Sequence, residues 1–242
     1  MEKLMTYKFS VMIPVHYILF FVLAISIPLI AQEQEEVKKE DESEVAVVPD
    51  ADGIEDPGLA AGSVAPSWAL MYAPAKFEFL KNWTVERGAR LRKSTTQPYR
   101  HVVVVSFFAT WCKPCMKELP ILEEVYQKYK DERVKFFLID ITEATRSNPG
   151  TVYGMSYKDV PVAGPFLKKK GVTMQILFDN RGTAMKRYNA QTLPRLFMVD
   201  GYRNVTFKKR GFPDGEGADE KFKKDISSEI ERLLGELPPS KK

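Results

Sequence analysis

Cys112 and Cys115 are the only cysteines among 242 residues, and they stand three apart in Thr110-Trp111-Cys112-Lys113-Pro114-Cys115. A pair at this spacing serves one of three chemistries: half of a zinc site, a closed structural disulfide, or thiol–disulfide exchange. A zinc site needs two further ligands, and the two histidines are poorly placed to supply them. His16 lies in a long apolar run, and His101 sits at the far end of the segment before the pair. A disulfide closing so small a loop restricts the unfolded chain little and so adds little stability. Exchange fits best, because it needs an attacking thiolate and a second thiol close enough to resolve the mixed disulfide. At the start of a helix, residues i and i+3 provide both. Cys112 is expected at the exposed amino-terminal end, where free backbone N–H groups and the helix dipole favour the thiolate. Cys115, one turn inside, is the expected resolving thiol. Pro114 lacks an N–H that a first helical turn does not need, and Lys113 brings a positive charge.

The neighbouring segments can position such a loop. Residues 101–109 (HVVVVSFFA) form a continuous apolar run rich in β-branched side chains, which predicts a strand buried on both faces leading into the pair. After it, Leu119, Leu122, Val125, Tyr126 and Tyr129 fall at helical spacing, with a kink expected at Pro120. Residues 134–141 read as a second buried strand, 142–159 as irregular, and 160–170 as a short helix ended by Gly171. Strands are expected at 174–178, 195–200 and 204–211, the last two joined by a hairpin at Gly201-Tyr202-Arg203. A closing helix over 218–234 carries Phe222, Ile226, Ile230, Leu233 and Leu234 on one stripe. The fold class is therefore α/β, and no internal repeat or Gly-rich phosphate loop is present.

Upstream, the composition changes twice. Residues 11–31 are uncharged and long enough to cross a bilayer, with Lys3 and Lys8 before them and Glu33, Glu35 and Glu36 after. Residues 1–31 thus read as a membrane anchor or signal segment that leaves the rest of the chain outside the cytoplasm. Cleavage is the weaker reading, because Ala24-Ile25-Ser26 and Leu29-Ile30-Ala31 are imperfect cut sites. Residues 32–61 are acidic and poor in aromatics, a composition that cannot build a core and predicts a flexible linker. The packed domain is expected over 62–242. With 44% hydrophobic residues overall, disorder throughout is excluded. Between 32 and 58 there are 2 basic and 11 acidic residues, so the domain beyond carries a basic excess. That excess is scattered, with short runs only at 168–170 and 208–210, which are read as solvated faces rather than a nucleic-acid surface.

The run Phe107-Phe108-Ala109-Thr110-Trp111-Cys112-Lys113-Pro114-Cys115, followed by Glu118 and Pro120, resembles the thioredoxin superfamily, and within it the TlpA/ResA-like membrane-anchored thiol–disulfide oxidoreductases. Gly62-Ser63-Val64-Ala65-Pro66-Ser67-Trp68 is similar to that branch's entry segment, and Thr192-Leu193-Pro194 matches the superfamily's cis-proline loop. The resemblance covers residues 62–234. It implies a thioredoxin fold, a central mixed β-sheet flanked by helices. It also implies Cys112 as nucleophile, Cys115 as resolving thiol, and Glu118 as the carboxyl that tunes their protonation. Trp111, Pro114, Leu193 and the cis-proline Pro194 are the implied substrate-binding residues. Ser106 departs from the pattern, because thioredoxin has a buried aspartate there and this branch often has asparagine.

The expected activity is disulfide exchange with exported proteins at the cell membrane or in the periplasm, needing no cofactor or metal beyond the Cys112–Cys115 disulfide. Reduction is the direction the resemblance implies, for instance of apocytochrome c cysteines before haem attachment, with electrons from a membrane donor of the DsbD/CcdA type. An oxidant or isomerase would use the same pair at a higher potential. A peroxidase of the peroxiredoxin type would need a Thr-x-x-Cys motif, and a copper-handling module a Cys-x-x-x-Cys pair with a distal histidine. The sequence has neither.

Overall fold

The computed structural model describes residues 59–87, 100–146 and 160–238. The expected anchor over 1–31 and all but the end of the expected linker lie outside the described residues. Among those described, no helix is long and apolar enough to cross a membrane.

Among the described residues, seven strands form one mixed sheet. In chain order they are β1 (Ala69–Ala73), β2 (Lys76–Phe79), β3 (Val102–Phe108), β4 (Val134–Asp140), β5 (Gln175–Phe178), β6 (Arg195–Val199) and β7 (Val205–Arg210). Across the sheet the order is β2-β1-β5-β4-β3-β6-β7. The central β5, β4 and β3 are parallel, β1 and β6 beside them run antiparallel, and the outer β2 and β7 reverse direction again. β3 is buried along its whole length, as its unbroken apolar run requires.

Among the described residues, five α-helices accompany the sheet: α1 (Lys113–Tyr129), α2 (Thr142–Arg146), α3 (Ala163–Lys169), α4 (Thr183–Arg187) and α5 (Ala218–Glu236). α1 and α5 pack against each other. Their stripes are those the spacing predicts: Leu119, Leu122, Val125 and Tyr129 are buried on α1, and Phe222, Ile226, Ile230 and Leu233 on α5. Glu231 of α5 clasps α1, accepting from the Tyr129 hydroxyl at 2.6 Å and from Lys128 at 3.0 Å. α1 runs unbroken through Pro120, which lies on its exposed side. On the sheet face that carries Phe107, the rings of Phe107, Tyr188 and Phe197 pack with centroids 5.2 to 6.1 Å apart.

Several expectations change here. The β1–β2 hairpin and α4 were not foreseen, α3 is shorter than 160–170, and the stretch read as irregular opens with α2. Residues 147–159 lie outside the described residues. The run 208–210 is not a solvated face: Lys208 and Lys209 are both buried, because β7 is covered on both sides. The run 168–170 is exposed as expected.

Candidate active site

The site sits where β3 ends and α1 begins. Cys112 is the N-cap of α1 and Pro114 occupies its first turn, so the loop enters the helix with no amide wasted on proline. Cys112 and Cys115 form a disulfide with Cα atoms 5.3 Å apart. The Cys115 backbone N–H donates to Cys112 Sγ at 3.2 Å. The amino-terminal sulfur is therefore the one facing a helix N–H, an arrangement that stabilises negative charge on it once the disulfide opens. Lys113 and Pro114 are exposed beside it.

The exposure expected for Cys112 is corrected by the structure. In the disulfide form it is only 3% exposed and Cys115 only 1%. The bond folds Cys112 Sγ back over the first turn of α1, and Cys112 joins the core cluster that Trp111 and Leu193 border.

Glu118 lies one turn beyond Cys115 on the same helical face and is 1% exposed. Its Oε1 accepts from the Ser106 hydroxyl at 2.8 Å, a contact from the strand that leads into the pair. Burial pushes its pKa from the ordinary 4.5 up to about 7, while the Ser106 hydrogen bond and the Lys209 charge pull against that rise. Ser106, read above only as a departure from the family pattern, is thus the carboxyl's direct partner. Position offered a clue, because Ser106 stands where the resemblance expects aspartate or asparagine.

A second set of polar groups fixes the loop from the other side. Asp140, at the end of β4, lies beside Phe108 in the parallel register. Its carboxylate accepts from the Thr142 backbone N–H at 2.9 Å and from the Thr142 hydroxyl. The Thr142 hydroxyl in turn accepts from the Thr110 N–H at 3.0 Å. The Thr145 hydroxyl donates to the Thr142 carbonyl at 2.8 Å and accepts from the Trp111 indole N–H at 3.0 Å. The Thr110 hydroxyl donates to the Pro161 carbonyl at 2.8 Å. All four side chains are buried, so each of these bonds replaces one that water would otherwise make. No local pattern marks this role for Thr142 and Thr145, since their partners lie more than thirty positions earlier in the chain.

The other expected residues fall as follows. Leu193-Pro194 is a cis peptide just before β6. Leu193 is half-buried, Pro194 is buried, and the Pro194 carbonyl accepts from Gly211 N–H at 2.8 Å. β6 pairs with β3 through Arg195 opposite Phe107, which holds this loop on the strand next to the one that delivers the cysteines. Among the described residues, no cluster of three or more His, Cys, Asp or Glu is arranged to hold a metal ion.

The sequence model of the family described as Redoxin matches residues 88–226. Among curated proteins, the thiol–disulfide oxidoreductase ResA of Bacillus thuringiensis subsp. konkukian is 30% identical over 122 residues, covering 50% of this chain and 62% of that protein. The ResA of Geobacillus kaustophilus is 29% identical over 147 residues, covering 60% and 67%. The chain thus spans less than two thirds of the length of the first of these relatives. Among solved structures, a thiol:disulfide interchange protein DsbE from Chlorobium tepidum superposes with a TM-score of 0.53 at 21% identity, over 73% of this chain and 99% of that one. A protein disulfide isomerase from Bacteroides thetaiotaomicron gives 0.52 at 19% identity, over 73% and 91%. These structures share the fold, a thioredoxin-like α/β sheet with flanking helices. A match across more than half the chain, with the cysteine pair inside it, makes this chain a member of the Redoxin family.

Proposed function

We propose that this chain is a thiol–disulfide oxidoreductase that reduces cysteines of exported proteins, with Cys112 as nucleophile and Cys115 as resolving thiol. The observation that carries the reading is the Cys112–Cys115 disulfide at the head of α1, with the Cys115 N–H on Cys112 Sγ. Its likeness to curated proteins named as thiol–disulfide oxidoreductases supports it.

In the reductive direction, the Cys112 thiolate attacks one sulfur of a substrate disulfide. A Cys112–substrate bond forms, and the other substrate sulfur leaves as a thiolate and takes up a proton. Cys115 then loses its proton and attacks Cys112 Sγ, closing the disulfide and releasing the second substrate sulfur as a thiolate, which takes up a proton from water. Two electrons pass to the substrate, which ends as two thiols. Glu118, one turn from Cys115 and titrating near neutrality, is the acceptor for the Cys115 proton. Trp111, Pro114, Leu193 and Pro194 border the substrate. No cofactor or metal enters this scheme.

By the same reading, residues 1–31 hold the domain at the extracytoplasmic side of the cell membrane or in the periplasm. A membrane donor of the DsbD/CcdA type restores the dithiol, and apocytochrome c is one fitting substrate.

A redox titration of the purified chain in dithiothreitol or glutathione buffers, followed by thiol trapping, tests the proposal. A midpoint near or below about −250 mV is expected, whereas one near about −120 to −180 mV assigns the pair to an oxidant or isomerase. If no reversible Cys112–Cys115 disulfide forms, the enzymatic reading is wrong.

A further inference from the structure

Lys209 is a cation buried where the sequence suggests a solvated run, only 2% exposed. In the sheet register, Ser106 of β3 lies opposite Leu196 of β6, and Leu196 lies opposite Lys209 of β7. Directly opposed residues of antiparallel strands point to one face. Ser106, Leu196 and Lys209 therefore form one lateral row on the face that α1 covers, as the Ser106 bond to Glu118 shows. Two strand spacings, about 10 Å, separate the backbones of Ser106 and Lys209. A lysine stem spans much of that distance, and Leu196 between them offers only apolar contact. The Lys209 charge acts on the Glu118 carboxyl.

The other end of Lys209's environment opens to solvent. Lys209 lines a cavity of about 240 Å³ between β7 and α5, together with Asp214, Glu216, Lys221 and Asp225. Two of these acids have cations of their own: Asp214 holds Lys117 at 2.6 Å, and Asp225 holds Lys221 at 2.7 Å. Lys208 extends to the opposite face of the sheet. Among the described residues, the groups that act on Glu118 are Ser106 from β3 and Lys209 from β7, with Cys115 one turn back on its own helix and the α5 charges Lys221 and Asp225 at the cavity beyond Lys209.

We propose that Lys209 is a positioning residue for Glu118: from β7 it selects the charge state of the buried carboxyl. The link to thiol chemistry rests on the function proposed above. The link between Lys209 and Glu118 does not.

The test follows the Glu118 carboxyl by carbon NMR in the full chain, with Glu118→Gln identifying its signal. Lys209→Met removes the charge at similar volume, and Lys209→Gln does so by a second route should the first variant fail to fold. Either is expected to raise the Glu118 titration midpoint by about one pH unit, and Lys209→Arg to bring it back to the wild-type position. An unchanged midpoint in the neutral variants, or no recovery with arginine, overturns the proposal. The pH profile of Cys115 attack on a Cys112 mixed disulfide is read on the same variants. If the midpoint moves and that profile does not, Lys209 controls Glu118 as proposed, and it is the role of Glu118 in the thiol chemistry that fails.

Discussion

Replacing Glu118 by Gln should change how the fold responds to pH, and the size of the change follows from burial. The carboxyl is fully enclosed, and its pKa is raised from the ordinary 4.5 to about 7. A raised acid binds its proton more tightly in the folded state than in the unfolded one, so its contribution to stability is complete below about pH 4.5. It is lost as pH climbs through about 7, because the folded chain must then hold an ionised carboxylate away from water. At about 1.4 kcal/mol per pH unit, the interval corresponds to about 3 kcal/mol. Glutamine keeps the shape and can still accept from Ser106, yet carries no charge at any pH. Urea denaturation of the oxidised wild type and E118Q at several values between pH 4 and pH 8 measures the difference directly. The stability of E118Q relative to wild type should rise by about 3 kcal/mol from the acidic to the alkaline end. For a domain of this size that is about 6 to 12 °C in Tm. A difference that stays level across the range would refute the reasoning, since it would mean that Glu118 is already ionised, or still protonated, throughout.

Cys115→Ser should accumulate a mixed disulfide on Cys112 when given a disulfide-containing protein, and Cys112→Ser should accumulate none; non-reducing electrophoresis separates the two, and equal trapping would remove the order of attack. Ser106→Ala takes away a hydrogen bond that lowers the Glu118 pKa, so the carboxyl should titrate above about 7 by NMR, with a loss of about 1 kcal/mol at acidic pH. Thr145→Val keeps the side-chain volume and leaves the Trp111 indole N–H without its acceptor. The expected cost is about 1 to 3 kcal/mol by denaturation, with faster hydrogen exchange at that indole and recovery of both in Thr145→Ser.

The parts of the fold that can be read from the chain are those where one physical signal is strong and local. The apolar run before the cysteines can only be a strand covered on both faces, and the stripe from Phe222 to Leu233 can only be one side of a helix. The β1–β2 hairpin is hard to read because its strands are only five and four residues long, too short for the apolar run of one or the alternation of the other to stand out. Its turn also hides, since the positive φ falls on Ala75, at 59°, where Gly or Asn would have announced it. α4 is only five residues long, too short for periodicity, although Asp179 accepting from the Thr183 and Met185 N–H groups is a capping device spelled out in Asp179-Asn180-Arg181-Gly182-Thr183. At the site, the cysteines and Glu118 share one helix and could be placed by counting. Ser106 and Lys209 could not, because their nearness depends on strand order and register across β3, β6 and β7. The burial of Lys209 also contradicts what a Lys-Lys-Arg run ordinarily means.

The borders of the sheet govern how this protein behaves in a crowd. Open strand edges invite other chains to extend a sheet, the first step towards fibrous aggregates. On one side the border is β2, four residues with Lys76 and Glu78 alternating along it, and its pairing with β1 slips between Met71 and Ala73. On the other side the start of β7 is occupied by residues 62–65: Gly62 donates to the Val205 carbonyl, Val205 to that of Ser63, and Val64 bridges Asn204. One border is short, charged and out of step, and the other is capped by the chain's own entry. Among the described residues, a neighbouring copy thus meets a four-residue border on one side and a partly occupied one on the other, which weakens the drive to extend the sheet.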